Sequence, residues 1–381
     1  MNSKRVAIVT NSSNYEPRAE LIAAYFRKGG NNVTVIESDF NHREKRHVKR
    51  KREGYIYVNT IPYRKNISAR RLYSHYNFSK KFFREIREMQ IDLLYVLVPA
   101  NSLVKFTALY KKIYPSVKIV FDIIDLWPES LPLKKIEKLY PIKLWKDLRN
   151  NYLREADLII SECRLYQTIL HKQLGELELK VLYWPKNEII KPELPKILTN
   201  EELHICYIGS INNIIDIPVI ITILKSIQYR KKITLHIIGD GEKRAELLEK
   251  LREAGIGIQY YGVVYDDKIK NDIIRQCHYG LNIMKANVCV GLTMKSVEYL
   301  AAGVPLINNI PGDTWELVEK EDIGLNFQSE NWVNLVEIII TRQSDMKRHV
   351  RARLLYENLF SPLAFDKRIE EYMKPLIDDI R

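Results

Sequence analysis

No apolar run in the sequence reaches the roughly 18 residues that a membrane-spanning helix requires. The opening residues, MNSKRVAIVTNSS, hold only a strand-length apolar stretch, too short for the hydrophobic core of a secretory signal. The chain is therefore expected to start and stay in the cytoplasm. Cysteine is scarce. Cys163, Cys206, Cys277 and Cys289 are widely spaced, form no CxxC pair and have no histidine at zinc-site spacing, so buried reduced thiols are expected. No metal-ligand cluster and no fixed-period repeat is visible. Two phosphate-binding signatures are missing as well. GxxxxGK followed by Ser or Thr does not occur, which argues against a P-loop. The first apolar run leads into TNSSNYEP without GxGxxG, so a dinucleotide fingerprint is absent.

What the chain has in excess is positive charge. Sixty lysines and arginines against 47 acids leave a net charge of +13, which implies an anionic partner: a nucleotide, a nucleic acid or an anionic membrane face. Part of this charge is local. The stretch NHREKRHVKRKR sets Arg43, Lys45, Arg46, Lys49, Arg50, Lys51 and Arg52 against the single acid Glu44. It reads either as a solvated loop or as a patch held at an anionic lipid surface, where each basic side chain contributes about 1 kcal/mol. Tyr55, Tyr57, Tyr63, Tyr73 and Tyr76 follow, and such aromatics suit a headgroup interface as well as a nucleic acid.

At 381 residues the chain exceeds what one hydrophobic core usually supports, so two domains are expected. RVAIVT (5–10), an amphipathic helical pattern over 19–27 and NVTVIES (32–38) begin a β-α-β alternation. It continues through DLLYVLVP (92–99), a helix over 102–114, KIVFDIID (118–125), ADLIISE (156–162) and VLYWP (181–185). The proline-bearing segment 186–200 has little periodicity and reads as a linker. The alternation then restarts with ELHICYIG, TLHIIGD, IQYYGVV, YGLNIM and VPLINN within 201–362. The expected fold class is α/β, with two doubly wound Rossmann-like domains, 1–185 and 201–362, facing across a cleft that holds the site. The tail from Leu363 reads as a final helix without a strand after it.

In an open parallel sheet, ligands collect at the carboxyl ends of the strands. Four stretches of the second half fall there: YIGSINN with Gly209 and Ser210, IIGDGEKRAELLEKL with Gly239 and Gly241, VCVGLTMKSVEY with Gly291, Leu292 and Thr293, and NNIPGDTWEL with Gly312, Asp313 and Thr314. Glycine lets a backbone approach closely, and a helix start offers unpaired N–H groups to an anion. Four such stretches in one domain point to a nucleotide diphosphate. In GLTMKSVEYLAAGVPLINN, a short helix over 296–302 carries Glu298 with Lys295 just before it. Phosphates would repel the carboxylate, which instead suits the two hydroxyls of a ribose, whereas the Lys295 ammonium suits the diphosphate. A surface i,i+3 ion pair is the plainer alternative.

At these residues the sequence resembles the GT-B glycosyltransferases, in particular family 4-like enzymes of bacterial capsule, O-antigen and exopolysaccharide assembly. KSVEYLAAGVPLI matches their K-x-x-E-Y-L-A-x-G-x-P pattern, and FDIIDLWPESLP and LHIIGDGEKRAELLEKL support it. The resemblance implies a glycosyltransferase that moves a sugar from a nucleotide-sugar donor, UDP- or GDP-linked, to a polyprenyl-diphosphate-linked glycan, with retention of configuration and without a metal or other cofactor. It places Glu298 on the ribose, the loop amides of Gly291, Leu292 and Thr293 on the diphosphate, and Gly209, Ser210 and Gly241 beside it. It implies an acceptor held by the N-terminal domain, to which the last helix returns. It also implies a peripheral place on the inner membrane face, which the basic stretch 43–52 suits, and no nucleic-acid partner. Asp125 and Glu129, beside Trp127 and Pro128, are the candidates for positioning the acceptor or sharing its proton, with Asp125 as a cap of the next segment the plainer alternative; His75 is a further candidate, or a packing residue beside its aromatic neighbours.

Three departures from the pattern stand out. Val290 occupies the position of a glutamate that contacts the donor sugar in many such enzymes. GSINNIID lacks their arginine and lysine, leaving Lys295 and Lys285 to supply charge. Ile124, not histidine, precedes Asp125. Two other readings therefore stand beside the first: a catalytically silent partner subunit, and a nucleotide-sugar epimerase on the same architecture.

Overall fold

The computed structural model describes residues 3–49, 51–65, 68–131, 139–175, 178–186, 201–328 and 332–380. It divides into two compact units, one formed by the chain up to Trp184 together with the residues from Asp366 onward, the other by Pro185–Phe365.

The first unit is built on a parallel sheet of strands β1 (Arg5–Thr10), β2 (Asn32–Ser38), β3 (Tyr55–Val58), β4 (Leu93–Val98), β5 (Lys118–Ile123), β6 (Leu158–Ser161) and β7 (Leu179–Val181), in the spatial order β3-β2-β1-β4-β5-β6-β7. The order reverses between β1 and β4, as in a doubly wound fold. Central strand β4, LLYVLV, is buried at every position, as a strand covered on both faces must be. Inside this apolar layer lies an ion pair that periodicity does not announce. Arg18, from the helix Glu16–Lys28, meets Asp122 of β5 at 2.7 Å, with both side chains fully buried. Arg18 also donates to the Leu182 carbonyl, and the Tyr95 hydroxyl donates to Asp122, so most of the pair's polar atoms are satisfied. The helix Pro362–Asp378 returns to this unit, where the Tyr372 hydroxyl donates to the Val181 carbonyl and Lys118 pairs with Asp379.

The second unit has strands β8 (Leu203–Ile208), β9 (Ile233–Ile238), β10 (Gly257–Gly262), β11 (Tyr279–Asn282), β12 (Leu306–Asn308) and β13 (Gly324–Asn326), in the order β10-β9-β8-β11-β12-β13, all parallel. Its switch point lies between β8 and β11. Isoleucine and leucine dominate the core, from Leu203 and Ile205 on β8 to Ile220, Ile223 and Leu224 on the helix Ile217–Gln228.

The sequence places the ends of β1 and β2 as observed. It does not anticipate β3, β13 or the helix Ala69–Ile86. Strands of three or four residues leave too few positions to show an alternation, and VLYWP is strand only in its first residue, with β7 beginning two residues earlier. The basic stretch is more ordered than a solvated loop. Phe40–Asn41 pairs antiparallel with Arg46–His47, Arg46 meets Glu44 at 2.6 Å, and the Lys45 ammonium lies over the Tyr63 ring. Arg43, Lys49 and Lys51 are exposed. Arg52 is exposed as well, but it pairs with Glu16 and Glu20, which compensate its charge. Arg50 lies outside the described residues.

Candidate active site

At the switch point of the second unit, β8 and β11 stay in register only at Ile205–Tyr279 and Cys206–Gly280, and then splay. Tyr299 fills the opening. Its hydroxyl accepts from the Ile208 amide at 2.9 Å and turns its own hydrogen toward the carbonyls of Cys206 and Leu281. A side chain at position 280 would collide with this ring, so glycine is required there. Tyr299 thus fastens the helix Met294–Ala301 to both central strands, and the neighbouring positions Lys295 and Glu298 take their places from that anchor.

The helix begins two residues before the expected Ser296, because Thr293 caps it. The Thr293 hydroxyl accepts from the Ser296 amide at 3.2 Å, and the Ser296 hydroxyl reaches back to the Thr293 amide at 3.3 Å. Thr293 also donates to Asn282, the last residue of β11, at 2.8 Å. From there, side-chain amides run along the carboxyl edge: Asn282 donates to Asn308 and Asn308 to Asn326, each at 2.8 Å. The buried carbonyl of Gly291 receives both the amide and the hydroxyl of Thr314. The loop 291–293 is therefore held from both sides, and the first-turn amides of Met294 and Lys295 have no acceptor within their helix. Thr293→Val removes the cap and strands Asn282. It is expected to lower stability by about 1–2 kcal/mol in chemical denaturation.

Gly239, after β9, has φ +139°, and a Cβ there would lie 2.0 Å from the Gly209 carbonyl oxygen. Only glycine lets the turns after β8 and β9 touch in this way. Gly241 makes a similar approach to the Ile211 carbonyl, and Ser210 is exposed at the tip of the first turn.

Lys295 packs beside this turn. A Cβ on Gly209 would sit 3.8 Å from the Lys295 Cε, and the ammonium lies 4.6 Å from the centre of the Tyr207 ring. No carboxylate pairs with Lys295 among the described residues. Burial pushes its pKa down to about 8, the response of an ammonium withdrawn from water without a counter-ion. Glu298 is differently placed. Its carboxylate is 18% exposed and lies 3.1 Å from Lys270 and 3.7 Å from Lys186; these lysines also meet Asp267, at 2.6 and 3.3 Å. Lys186 is fixed through its backbone, which donates to the Phe360 carbonyl and accepts from the Tyr356 hydroxyl. The i,i+3 pairing of Lys295 with Glu298 is not formed. Sequence reading found neither Lys186 nor Lys270, since each is one lysine among many and lies far from the motif.

In the first unit, Asp125 follows the end of β5 and accepts a hydrogen bond from Tyr15. Burial raises the Asp125 pKa above the usual carboxylate range. Burial, with Asp125 alongside, also pushes the Tyr15 hydroxyl well up. Glu129 is committed elsewhere: Arg149, fully buried, grips both its oxygens at 2.8 and 3.1 Å, and Lys146 and Gln173 add to the set. Although burial alone would raise its pKa, the Arg149 charge outweighs it and holds Glu129 low. That arrangement makes Glu129 the counter-ion of a buried arginine. His75 stacks on Trp127 at 5.7 Å and Arg71 lies over the same indole at 4.3 Å. Val290, Lys285 and Ile124 are where the sequence puts them, with Lys285 held through its amide to the Ile214 carbonyl.

Residues 202–345 match the family model described as glycosyl transferases group 1. Comparison with curated protein sequences finds no match. Solved structures share the fold at low identity. Sucrose-phosphate synthase of Thermosynechococcus elongatus superposes with a TM-score of 0.69 at 12% identity, covering 99% of this chain and 100% of that one. HepE of Anabaena, in complex with UDP and glucose, gives 0.65 at 14% identity over 98% and 100%. The lipopolysaccharide outer core galactosyltransferase WaaB gives 0.64 at 14% identity over 97% and 99%. The group 1 match thus lies over the switch-point motif just described, within a chain of GT-B fold.

Proposed function

We propose that this protein transfers a sugar from a UDP- or GDP-linked donor to a glycan carried on a polyprenyl diphosphate, in the assembly of a bacterial surface polysaccharide. The observation that carries the donor half is an uncompensated, half-buried Lys295 and, one turn further along the same capped helix, the separately paired carboxylate of Glu298. HepE, crystallised with UDP and glucose, supports a nucleotide-sugar donor, and WaaB supports a surface glycan. In this reading Glu298 accepts both ribose hydroxyls. The amides of the 291–293 loop and the first helical turn, with Lys295, take the charge that grows on the leaving diphosphate, so no metal ion is required. Gly209, Ser210 and Gly241 let that diphosphate approach the backbone.

Asp125 serves the acceptor. Its raised pKa, nearer to neutrality than an ordinary carboxylate's, suits transient sharing of the acceptor hydroxyl proton. Configuration is retained at the anomeric carbon in this reading, and Glu129 shapes the acceptor side through Arg149. Titration calorimetry with UDP, GDP and their sugars tests the proposal. Micromolar binding of one nucleotide series is expected, and no binding of any would overturn it.

The protein works at the inner face of the cell membrane in this reading. Among the described residues no helix is long and apolar enough to cross a membrane, so contact would rest on charge. Replacing Lys49 and Lys51 with serine is expected to weaken binding to anionic vesicles by about 1 kcal/mol per residue at low salt. Equal sedimentation of mutant and parent with vesicles would rule out the patch as a membrane contact. A second reading, a silent partner subunit, is favoured by Val290 and by the missing basic pair. Sugar transfer by the isolated chain to a lipid-linked acceptor eliminates it.

A further inference from the structure

The two oxygens of the Glu298 carboxylate have different surroundings. Oε2 is buried and lies 3.1 Å from the Lys270 ammonium, while Oε1 is on the side of Lys186, 3.7 Å away. Lys270, only 13% exposed, comes from the helix Asp267–Ile274, which is held by buried Ile273 and Ile274 and capped by Asp266, whose side chain accepts from the Lys268 and Ile269 amides at 2.8 and 3.0 Å. The same ammonium meets Asp267 at 2.6 Å, so it bridges two carboxylates. Burial by itself would lower the Lys270 pKa, but Asp267 and Glu298 outweigh it and keep the side chain charged.

This arrangement does two things for a carboxylate that must sit close to a diphosphate. Lys186 and Lys270 set two positive charges against the two negative charges of Asp267 and Glu298, so the group as a whole adds no net repulsion to an incoming anion. A glutamate on a helix surface also samples several rotamers, and one already tied at Oε2 has less freedom to lose when a ligand arrives. Lys186 is the looser partner of Glu298, and it lies 3.3 Å from Asp267 as well.

We infer that Lys270 is a positioning residue for donor recognition: it pins Oε2 of Glu298, so that Oε1 is the oxygen presented to the two ribose hydroxyls, which its lone pairs accept together. Lys186 balances charge on the Oε1 side and yields its place to the ribose. Caught between two carboxylates, Lys270 is poorly placed to take a phosphate. This inference rests on the reading that Glu298 binds the ribose.

The test is calorimetric titration of the full chain with UDP and GDP, then with the 2′-deoxy form of whichever binds more tightly. In the parent the ribonucleotide is expected to bind at least about tenfold more tightly than its deoxy form. Lys270→Met is expected to reduce that ratio to about threefold or less, Lys270→Arg to retain most of it, and Lys186→Met to leave it at about tenfold or more. Loss of positive charge or a disturbed fold weakens both nucleotides alike and cancels in the ratio, so the ratio reads how Glu298 is held. An undiminished ratio in Lys270→Met, or an equal reduction in Lys186→Met, would overturn the inference. An undiminished ratio joined to a loss of affinity for the diphosphate but not for the nucleoside would overturn it in favour of Lys270 as a phosphate ligand. If Lys270→Met does not fold, Lys270→Gln carries the same expectation. A parent protein that binds neither nucleotide, or binds both sugar forms alike, strikes the ribose reading itself and this inference with it; a parent preference that Lys270→Met leaves intact strikes the inference alone.

Discussion

Glu298→Ala is expected to weaken binding of the donor's nucleoside diphosphate about 100-fold, close to 2.7 kcal/mol, as measured by calorimetry. Two charge-assisted hydrogen bonds to ribose hydroxyls account for a loss of this size. The loss has an opposing term. Glu298 shares Lys270 and Lys186 with Asp267, and its removal frees positive charge near the nucleotide. The deoxyribonucleotide separates the two effects. In the parent protein, 2′-deoxy-UDP or 2′-deoxy-GDP should bind at least about tenfold more weakly than the ribonucleotide, since one hydroxyl contact is gone. In Glu298→Ala both forms should bind alike. If the ribose preference survives the mutation, Glu298 does not hold the ribose. The fold should be unaffected, because alanine is a strong helix former and the parent side chain is not a core residue.

The extent to which the sequence revealed this site follows from how local each signal was. Thr293, Lys295 and Glu298 lie within six consecutive residues, and the glycines mark turns by themselves, so their common placement at strand ends was legible. The alternation of β-rich runs and amphipathic stretches likewise gave two doubly wound sheets. What escaped notice was non-local. Tyr299 looks like a core aromatic, and only the splaying of β8 from β11 makes its hydroxyl a bridge. Lys186 and Lys270 reach Glu298 from positions 112 residues before it and 28 residues before it, a convergence that no spacing rule encodes. Glu129 shows the opposite failure. It sat beside Asp125 in a polar, aromatic segment and looked available, but its partner Arg149 comes from a helix whose pattern gave no reason to expect a fully buried guanidinium.

Lys295 gives the second large effect, and it has a pH signature. Lys295→Met is expected to lower nucleoside diphosphate affinity by between about 10-fold and 100-fold at pH 7, as removal of one charged hydrogen-bond donor would, while affinity for the nucleoside alone stays level. With a pKa near 8 in the free protein, the ammonium is mostly charged at pH 7. Bound phosphate stabilises the charged form, so the pKa in the complex is higher than in the free protein. Protonation therefore favours binding. Affinity should be flat below pH 8 and fall by up to about tenfold per unit above it, until the pKa of the complex is reached. Lys295→Met should lose that slope, and Lys295→Arg should also be flat while keeping part of the affinity, because guanidinium does not titrate in this range. The same shift acts on stability with the reverse sign. Since the folded pKa lies below the ordinary 10.5, the unfolded chain binds more protons between pH 8 and 10.5, and the ligand-free protein should gain stability across that window. Saturation with the nucleotide should erase the gain. A parent protein whose diphosphate affinity is as flat as that of Lys295→Met from pH 7 to 10 would remove Lys295 from the diphosphate site.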